Sequence, residues 1–242
     1  MPTMPDAAIL CGGAGSRLAP LGLGVPKPMI SVGGQPFLAG LVAALVAREI
    51  PRVVLCSGEG REQIRAFFTG RDCGAEVLFS EETEPLGTAG ALRQALPLLR
   101  TDPILVLNGD SWAPFDPGAM NARQQATGAE IVLLAAPAGD RTDAGSLRLD
   151  AEGRVRAFAE KQVLAGARQY NAGIYLFRRR VLEALPSGRA VSLEREVLLQ
   201  YLDGRMAACP AAGPLLDIGT PGRLAQIQAA AAEGRGPFPP GS

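Results

Sequence analysis

The amino-acid sequence predicts an α/β fold around a sheet of buried strands. Apolar, β-branched runs alternate with segments of helical spacing through the first half, which is the pattern of βαβ units. The first such run, AAIL, feeds a glycine-rich turn, and a later one, ILVLNG, ends on an aspartate at its tip. With 242 residues, 47% of them hydrophobic and 20% charged, the chain has the composition of an ordinary globule.

Taken in order, the strands of the first half are expected at 7–10, 52–57, 75–79 and 103–107. Helices lie between them at 36–48, 60–68 and 88–99. The second half changes texture. Strands are expected at 131–136, 146–150 and 154–158, the last two joined by a hairpin turn at Ala151, Glu152 and Gly153. A further apolar strand covers 173–177, followed by helices at 178–184 and 193–202, the second opened by Ser192 as N-cap. A short strand at 214–216 leads into a last helix at 221–232, with proline in its first turn. The tail from Gly234, GRGPFPPGS, is expected to be disordered.

Composition narrows the chemistry. The 24 basic and 24 acidic residues balance, so a nucleic-acid partner has no global electrostatic support. Cys11, Cys56, Cys73 and Cys209 form no CxxC pair, which argues against a zinc knuckle or a disulfide scaffold and for reduced thiols. No run reaches the roughly 18 apolar residues of a membrane span, and no signal peptide precedes the first strand. A cytoplasmic location is therefore expected. The chain contains 0 histidines, which excludes serine–histidine triads, histidine metal sites and imidazole proton shuttles.

Residues 11–28 read CGGAGSRLAPLGLGVPKP. Leaving a strand, such a loop offers exposed amides to an anionic phosphate, and Gly12, Gly13 and Gly15 permit close approach. Arg17, and Lys27 boxed between Pro26 and Pro28, add fixed positive charge. The bland alternative is a plain strand-to-helix connection. The dinucleotide fingerprint fails because Leu18 stands where its third glycine belongs, and the ordinary NTPase loop fails for want of Gly-Lys-Ser/Thr.

Two carboxylates stand out. Asp110 follows the apolar strand and Asp217 lies just before a helix, so both sit at strand ends on one face, where Mg2+ takes one or two carboxylates plus phosphate oxygens. Read alone, Asp110 is equally an aspartate capping the next turn. In LGTAGAL, Gly87 and Thr88 open a helix whose free amides can meet a base edge, or simply cap it. Glu82 and Glu84 before it read as surface charges, and the adjacent Glu160 and Lys161 as a solvated pair.

The longer run GGAGSRLAPLGLGVPKPMISVGGQP resembles the sugar-phosphate nucleotidylyltransferase signature GGxGTRLxPLTxxxPKPMxPVxGxP, departing from it at Ser16, Gly22 and Ser31. NGD, LDIGTP, LGTAGAL, AFAEKQ and YNAGIYLF are similar to further motifs of that family, in its order, with Gln162 replacing the proline of FxEKP. The resemblance implies a three-layer, Rossmann-like nucleotidyltransferase fold with a central mixed sheet and a small β-rich sugar-binding insertion after Asp110. It implies one such domain over 1–233 and a tail over 234–242. By the same resemblance Leu10, Gly12, Gly13, Gly15, Ser16, Arg17, Gly87, Thr88 and Gly109 bind the nucleotide. Gly145, Glu160, Lys161 and Asn171 hold the sugar 1-phosphate, Asp110 and Asp217 bind Mg2+, and Arg17, Lys27, Asp110 and Asp217 are catalytic.

That reaction needs no histidine, because a phosphate oxygen of a sugar 1-phosphate is already an anion when it attacks the nucleotide's α-phosphorus. Among relatives the chain most resembles short guanylyltransferases acting on D-glycero-D-manno-heptose 1-phosphate, then those acting on mannose 1-phosphate. The implied partners are an NTP, GTP first, and a sugar 1-phosphate, with no nucleic acid and no membrane, in a monomer or homodimer. The chain ends soon after LDIGTP, so no C-terminal β-helix is expected. Two other readings are a silent, nucleotide-sugar-binding regulatory homologue and a molybdopterin guanylyltransferase. Intact Lys27, Asp110 and Asp217 oppose the first, and the EKQ and NAGIY motifs oppose the second.

Overall fold

The computed structural model describes residues 4–13, 18, 22–137, 145–160 and 162–238. Its first half runs β1 (Ala7–Leu10), a small hairpin of β2 (Ser31–Val32) and β3 (Gln35–Pro36), α1 (Phe37–Val46), β4 (Arg52–Ser57), α2 (Arg61–Phe68), β5 (Glu76–Glu81), α3 (Gly87–Ala95) and β6 (Ile104–Asn108). The second half runs β7 (Ser111–Trp112), α4 (Pro117–Thr127), β8 (Ile131–Pro137), β9 (Ser146–Leu149), β10 (Val155–Ala159), β11 (Gln169–Phe177), α5 (Arg179–Glu183), β12 (Met206–Pro210), β13 (Leu216–Asp217) and α6 (Pro221–Ala232).

The central sheet has nine strands in the order β10-β9-β11-β6-β1-β4-β5, with β8 on the other edge of β11 and β12 beyond it. It is mixed: β6, β1, β4 and β5 run parallel, whereas β11 is antiparallel to β6, β8 and β9. Alternate residues of each central strand feed two apolar layers, because successive side chains point to opposite faces. Ile9 and Leu107 pack with Leu38, Leu41 and Ile64 of α1 and α2. Ala8 and Val106 pack with Ala89, Leu92 and Val181 of α3 and α5. β8 to β12 are continuous with this sheet, whereas β7 and β13 pair in a separate two-stranded sheet.

Two elements left no clear apolar pattern in the sequence. α4 buries Pro117, Met120 and Gln124 only, so it lacks a stripe at helical spacing; Asp116 caps it by accepting from the Gly118 amide at 2.8 Å. β12, MAACP, is short and has small residues at its centre, and it gains its place by pairing with β8. The helix expected at 193–202 is instead a π-helical turn, Leu193–Val197, followed by a 3-10 turn, Leu198–Tyr201. Within the stretch 234–242, Phe238 places its ring 5.1 Å from that of Phe37 and 5.7 Å from that of Trp112. An aromatic ring gains enough from burial to hold a glycine- and proline-rich segment down. Residues 239–242 lie outside the described residues.

Candidate active site

A cavity of about 660 Å3 opens at the carboxyl ends of β1, β4 and β6, where ligands of α/β sheets gather. Leu10, Gly12, Gly13, Lys27, Gly87, Thr88, Gly109 and Asp110 all line it. Gly15, Ser16, Arg17 and Lys161 lie outside the described residues.

The glycine turn begins as Cys11 donates its amide to the Cys56 carbonyl at 2.8 Å, tying the exit of β1 to that of β4. A Cβ on Gly12 would stand 2.9 Å from the Gly58 nitrogen and 3.1 Å from Glu82 Oε1, so this glycine is required by protein contacts. Gly13 meets nothing within 4 Å and presents open backbone to the cavity.

Lys27 lies in a 3-10 turn, Lys27–Met29, between Pro26 and Pro28, whose rings fix the backbone on either side of it. Its side chain is 10% exposed, and its Nζ donates to Asp110 Oδ2. Asp110, at 35%, opens to the cavity. A lysine buried this deeply needs a compensating carboxylate, and Asp110 supplies it.

The second aspartate is brought alongside by β7 and β13. Asp217 is the cross-strand partner of Ser111, and the Ile218 amide donates to the Asp110 carbonyl at 3.0 Å. Asp217 is buried; its Oδ1 accepts from the Gly219 amide at 2.7 Å and forms an ion pair with the Arg223 guanidinium, whose Nε lies 3.2 Å away. It does not line the cavity that Asp110 lines. Among the described residues no group of three or more acidic or cysteine side chains is arranged to hold a metal.

Glu82 is no surface charge. It lines the cavity, and its Oε2 accepts from the Leu86 amide at 2.7 Å. Burial pushes its pKa up, against the pull of that amide. Arg61, at the start of α2, holds the Glu82 carbonyl at 2.6 Å. Thr88 is likewise no simple cap: its hydroxyl accepts from the Leu193 amide at 2.7 Å and donates to Glu194 Oε2 at 3.1 Å. The two thiols in the cavity wall stay protonated. Burial, then Cys56 and Glu82, push Cys11 well up, and burial, then Glu82, push Cys56 up to about 12.

A second cluster forms where β11 bulges. Between the pairs Asn171↔Ala135 and Tyr175↔Leu133, three residues of β11 face one of β8. Gly173 takes φ 72° there, and a Cβ on it would stand 2.5 Å from Asn108 Nδ2. The bulge turns Asn171 so that its Nδ2 donates to the Tyr175 hydroxyl at 2.6 Å. The Asn171 amide donates to the Gly145 carbonyl at 2.7 Å, and Glu160 Oε2 lies 3.1 Å from where a Gly145 Cβ would be. Gly145, Glu160 and Asn171 are thus together. Asn108, Arg61, Tyr175 and Glu194 also stand at these two clusters; NGD and YNAGIYLF contain the first and third, and nothing local marks Arg61 or Glu194.

Residues 6–234 match the family model described as nucleotidyl transferase, and the chain belongs to that family. Within it, the chain is 35% identical over 238 residues to a mannose-1-phosphate guanylyltransferase of Mycobacterium tuberculosis, a match covering 97% of this chain and 66% of that protein. It is 30% identical over 216 residues to the D-glycero-alpha-D-manno-heptose 1-phosphate guanylyltransferase of Campylobacter jejuni, covering 89% of this chain and 95% of that one. The crystal structure of HddC from Yersinia pseudotuberculosis superposes with a TM-score of 0.81 at 27% identity, over 95% of this chain and 99% of that one. HddC complexed with GMP-PN gives 0.78 at 26% identity, over 92% and 97%. The chain spans 66% and 62% of the length of two mannose-1-phosphate relatives it matches. Among the described residues no helix is long and apolar enough to cross a membrane.

Proposed function

We propose that the chain transfers GMP from GTP to a sugar 1-phosphate, releasing pyrophosphate and forming a nucleotide sugar. One observation carries this: Lys27, Asp110, open glycine backbone and the Glu82 carboxylate line a single cavity. Guanine offers adjacent N–H donors on one edge, and a fixed carboxylate accepts both. Glu82 therefore favours guanine over bases that present an acceptor there.

D-glycero-D-manno-heptose 1-phosphate is the first sugar substrate in this reading, supported by a heptose relative that the chain matches over 95% of its length. Mannose 1-phosphate is the second, supported by the 35% identity to the mycobacterial relative. Gly145, Glu160 and Asn171 hold the sugar, Lys161 its phosphate, and Gly12, Gly13, Gly15, Ser16 and Arg17 the triphosphate. A cytoplasmic setting is supported by four cysteines that remain free thiols.

The attacking phosphate oxygen is already anionic, so no side chain need remove a proton. That suits a cavity whose thiols are protonated and a chain with 0 histidines. Lys27 neutralises charge that builds on the α-phosphate and the departing pyrophosphate, held for it in advance by Asp110 and the flanking prolines. Asp110 and Asp217 are hard oxygen donors on adjoining backbone, a donor chemistry that suits Mg2+. They would hold the ion, which supplies charge neutralisation on the phosphates when bound.

A panel of GTP, UTP, dTTP, CTP and ATP against heptose, mannose and glucose 1-phosphates, read as pyrophosphate release, tests the proposal. Turnover with GTP and a manno-configured sugar is expected. Nucleotide binding without pyrophosphate release for any pair would instead favour a silent regulatory homologue.

A further inference from the structure

Glu82 stands where its chain leaves the sheet. Thr83, Glu84 and Pro85 beyond it are exposed, and the chain is next held at Leu86, which precedes α3. Whatever sets the direction of the Glu82 carboxylate must therefore act at the end of β5 itself. Three of its contacts are to main chain. The Glu82 amide donates to the Ser57 carbonyl at 2.8 Å, and Oε2 accepts from the Leu86 amide at 2.7 Å. Oε1 rests over Gly12 and Gly58, 3.1 Å and 3.8 Å from where their Cβ atoms would be. The fourth contact comes from a side chain. Arg61 Nη1 donates to the Glu82 carbonyl at 2.6 Å, and Arg61 lines the cavity without a part in the function as stated so far.

The surroundings of Arg61 fix it for this task. Gly60 before it takes φ 73°, and a Cβ there would collide with the Pro26 ring, so α2 begins against the turn that holds Lys27. The Arg61 amide donates to the Gly58 carbonyl at 3.2 Å, tying the start of the helix to the end of β4. Its Nε faces Glu62 Oε1 at 3.2 Å, an exposed carboxylate that matches the charge on the solvent side. Among the described residues no ion pair joins Arg61 to the Glu82 carboxylate, so the guanidinium holds the peptide and leaves the carboxylate charge for a ligand. A planar guanidinium with its donors in a fixed fork holds one peptide orientation, where an ammonium would allow several.

We infer that Arg61 is a positioning residue for base recognition: by holding the Glu82 carbonyl it fixes the direction of the carboxylate that meets the two N–H donors of the guanine edge. The inference rests on the proposed role of Glu82, and nothing in it requires Arg61 to touch the nucleotide. A carboxylate that must meet two donors at once tolerates little displacement, so loosening its peptide loses one of the two bonds first.

The test compares GTP with ITP, whose base keeps the ring N–H but lacks the exocyclic amine. Values of kcat/KM for both are measured in wild type, Arg61→Met, Arg61→Lys, Glu82→Gln and the double variant Arg61→Met/Glu82→Gln, with a sugar 1-phosphate that the wild type turns over. Equilibrium competition of GTP and ITP against a fluorescent GTP analogue, without sugar, gives a readout independent of turnover. Wild type is expected to prefer GTP by about tenfold or more, the worth of one hydrogen bond to a charged group. Arg61→Met should cut that preference several-fold, chiefly by raising the KM for GTP, and Arg61→Lys, which keeps a cationic donor, should fall between. In the Glu82→Gln background Arg61→Met should change the preference by less than about twofold, because it acts through the missing carboxylate. Equal losses for GTP and ITP would overturn the inference, since a phosphate contact or a loosened fold gives that pattern. So would an unchanged preference in Arg61→Met beside a reduced one in Glu82→Gln, a result that leaves the proposed function standing. A Glu82→Gln variant that keeps the full preference, or a wild type that has none, removes the role of Glu82 and the inference with it.

Discussion

Lys27 and Asp110 form the most consequential pair in the molecule because each is the other's compensation. The lysine is 10% exposed and the carboxylate 35%, so removing one strands a charge at the edge of the cavity. Lys27→Met and Asp110→Asn are each expected to lower kcat by about a hundredfold or more, since both act on charge that develops in the transition state. The double variant should lose less than the product of the two, because paired residues are not additive. Single-turnover pyrophosphate release for all four proteins measures this; strict multiplicativity would mean the two act separately. Glu82 leads to a prediction of opposite sign for stability and function. Burial raises its pKa in the folded state, so the fold favours the neutral form. Stability from this group is therefore complete below the ordinary carboxylate pKa and is lost as pH rises through the raised folded value. Glu82→Gln keeps an acceptor for the Leu86 amide and removes the charge. It should raise Tm slightly at pH 7, with the gain vanishing near pH 4, while lowering kcat/KM for GTP by about tenfold. Paired melts at both pH values decide it, and a variant that melts lower than wild type at pH 7 would contradict the assignment.

At the scale of elements, β11 and its bulge do the most to assemble the second cluster. Gly173 is the hinge, since its φ of 72° and the 2.5 Å approach to Asn108 leave no room for a side chain. Gly173→Ala should cost about 1–3 kcal/mol, or roughly 2–12 °C in Tm, and raise the KM for the sugar 1-phosphate more than that for GTP. Equal effects on the two substrates would show that the bulge does not serve Asn171 in particular. Elements of this kind mark where the sequence was legible. The strands 7–10 and 52–57 and the helix 221–232 were readable to the residue, because uniform apolar runs and a Thr-Pro start define them without help from elsewhere. The strand expected at 173–177 begins four residues earlier, since Asn171 and Gly173 look like turn residues until β8 is known to lie opposite. The π-helical turn at 193–197 was read as an ordinary helix because its apolar positions fit either winding. Of the site, Lys27, Asp110, Gly87 and Thr88 were legible from the charge and turn chemistry of contiguous motifs. Glu82 and Glu194 were not, because what makes them matter is enclosure by segments far along the chain. Glu82 needs β4 and α2 beside it, and Glu194 needs Thr88, 106 positions away.

At the scale of the whole molecule, a residue near the end of the described chain packs beside the strand that follows Asp110. Trp112 follows Asp110 by two residues, pairs across to Leu216 of β13, and packs its ring 5.5 Å from Phe115 with the Arg48 guanidinium 4.8 Å from its centre. Phe238 closes this aromatic group from the far end of the sequence, touching Trp112 and Phe37 and covering Gly40 of α1. The tail thereby packs against α1 and the β7–β13 bridge through residues that do not line the cavity. Because Phe238 is only partly buried, Phe238→Ala should remove about 1–2 kcal/mol of stability. In a chain of this size that is a fall of roughly 2–8 °C in Tm. Catalysis at 25 °C should hardly respond, with both KM values within about twofold, since the bridge keeps its own backbone bonds and Asp217 keeps Arg223 and the Gly219 amide. Differential scanning calorimetry beside steady-state kinetics separates the possibilities. A variant with an unchanged Tm would mean the ring contributes nothing in solution, whereas a large loss of kcat at an unchanged fold would mean that the tail holds Asp110 or Asp217 in place.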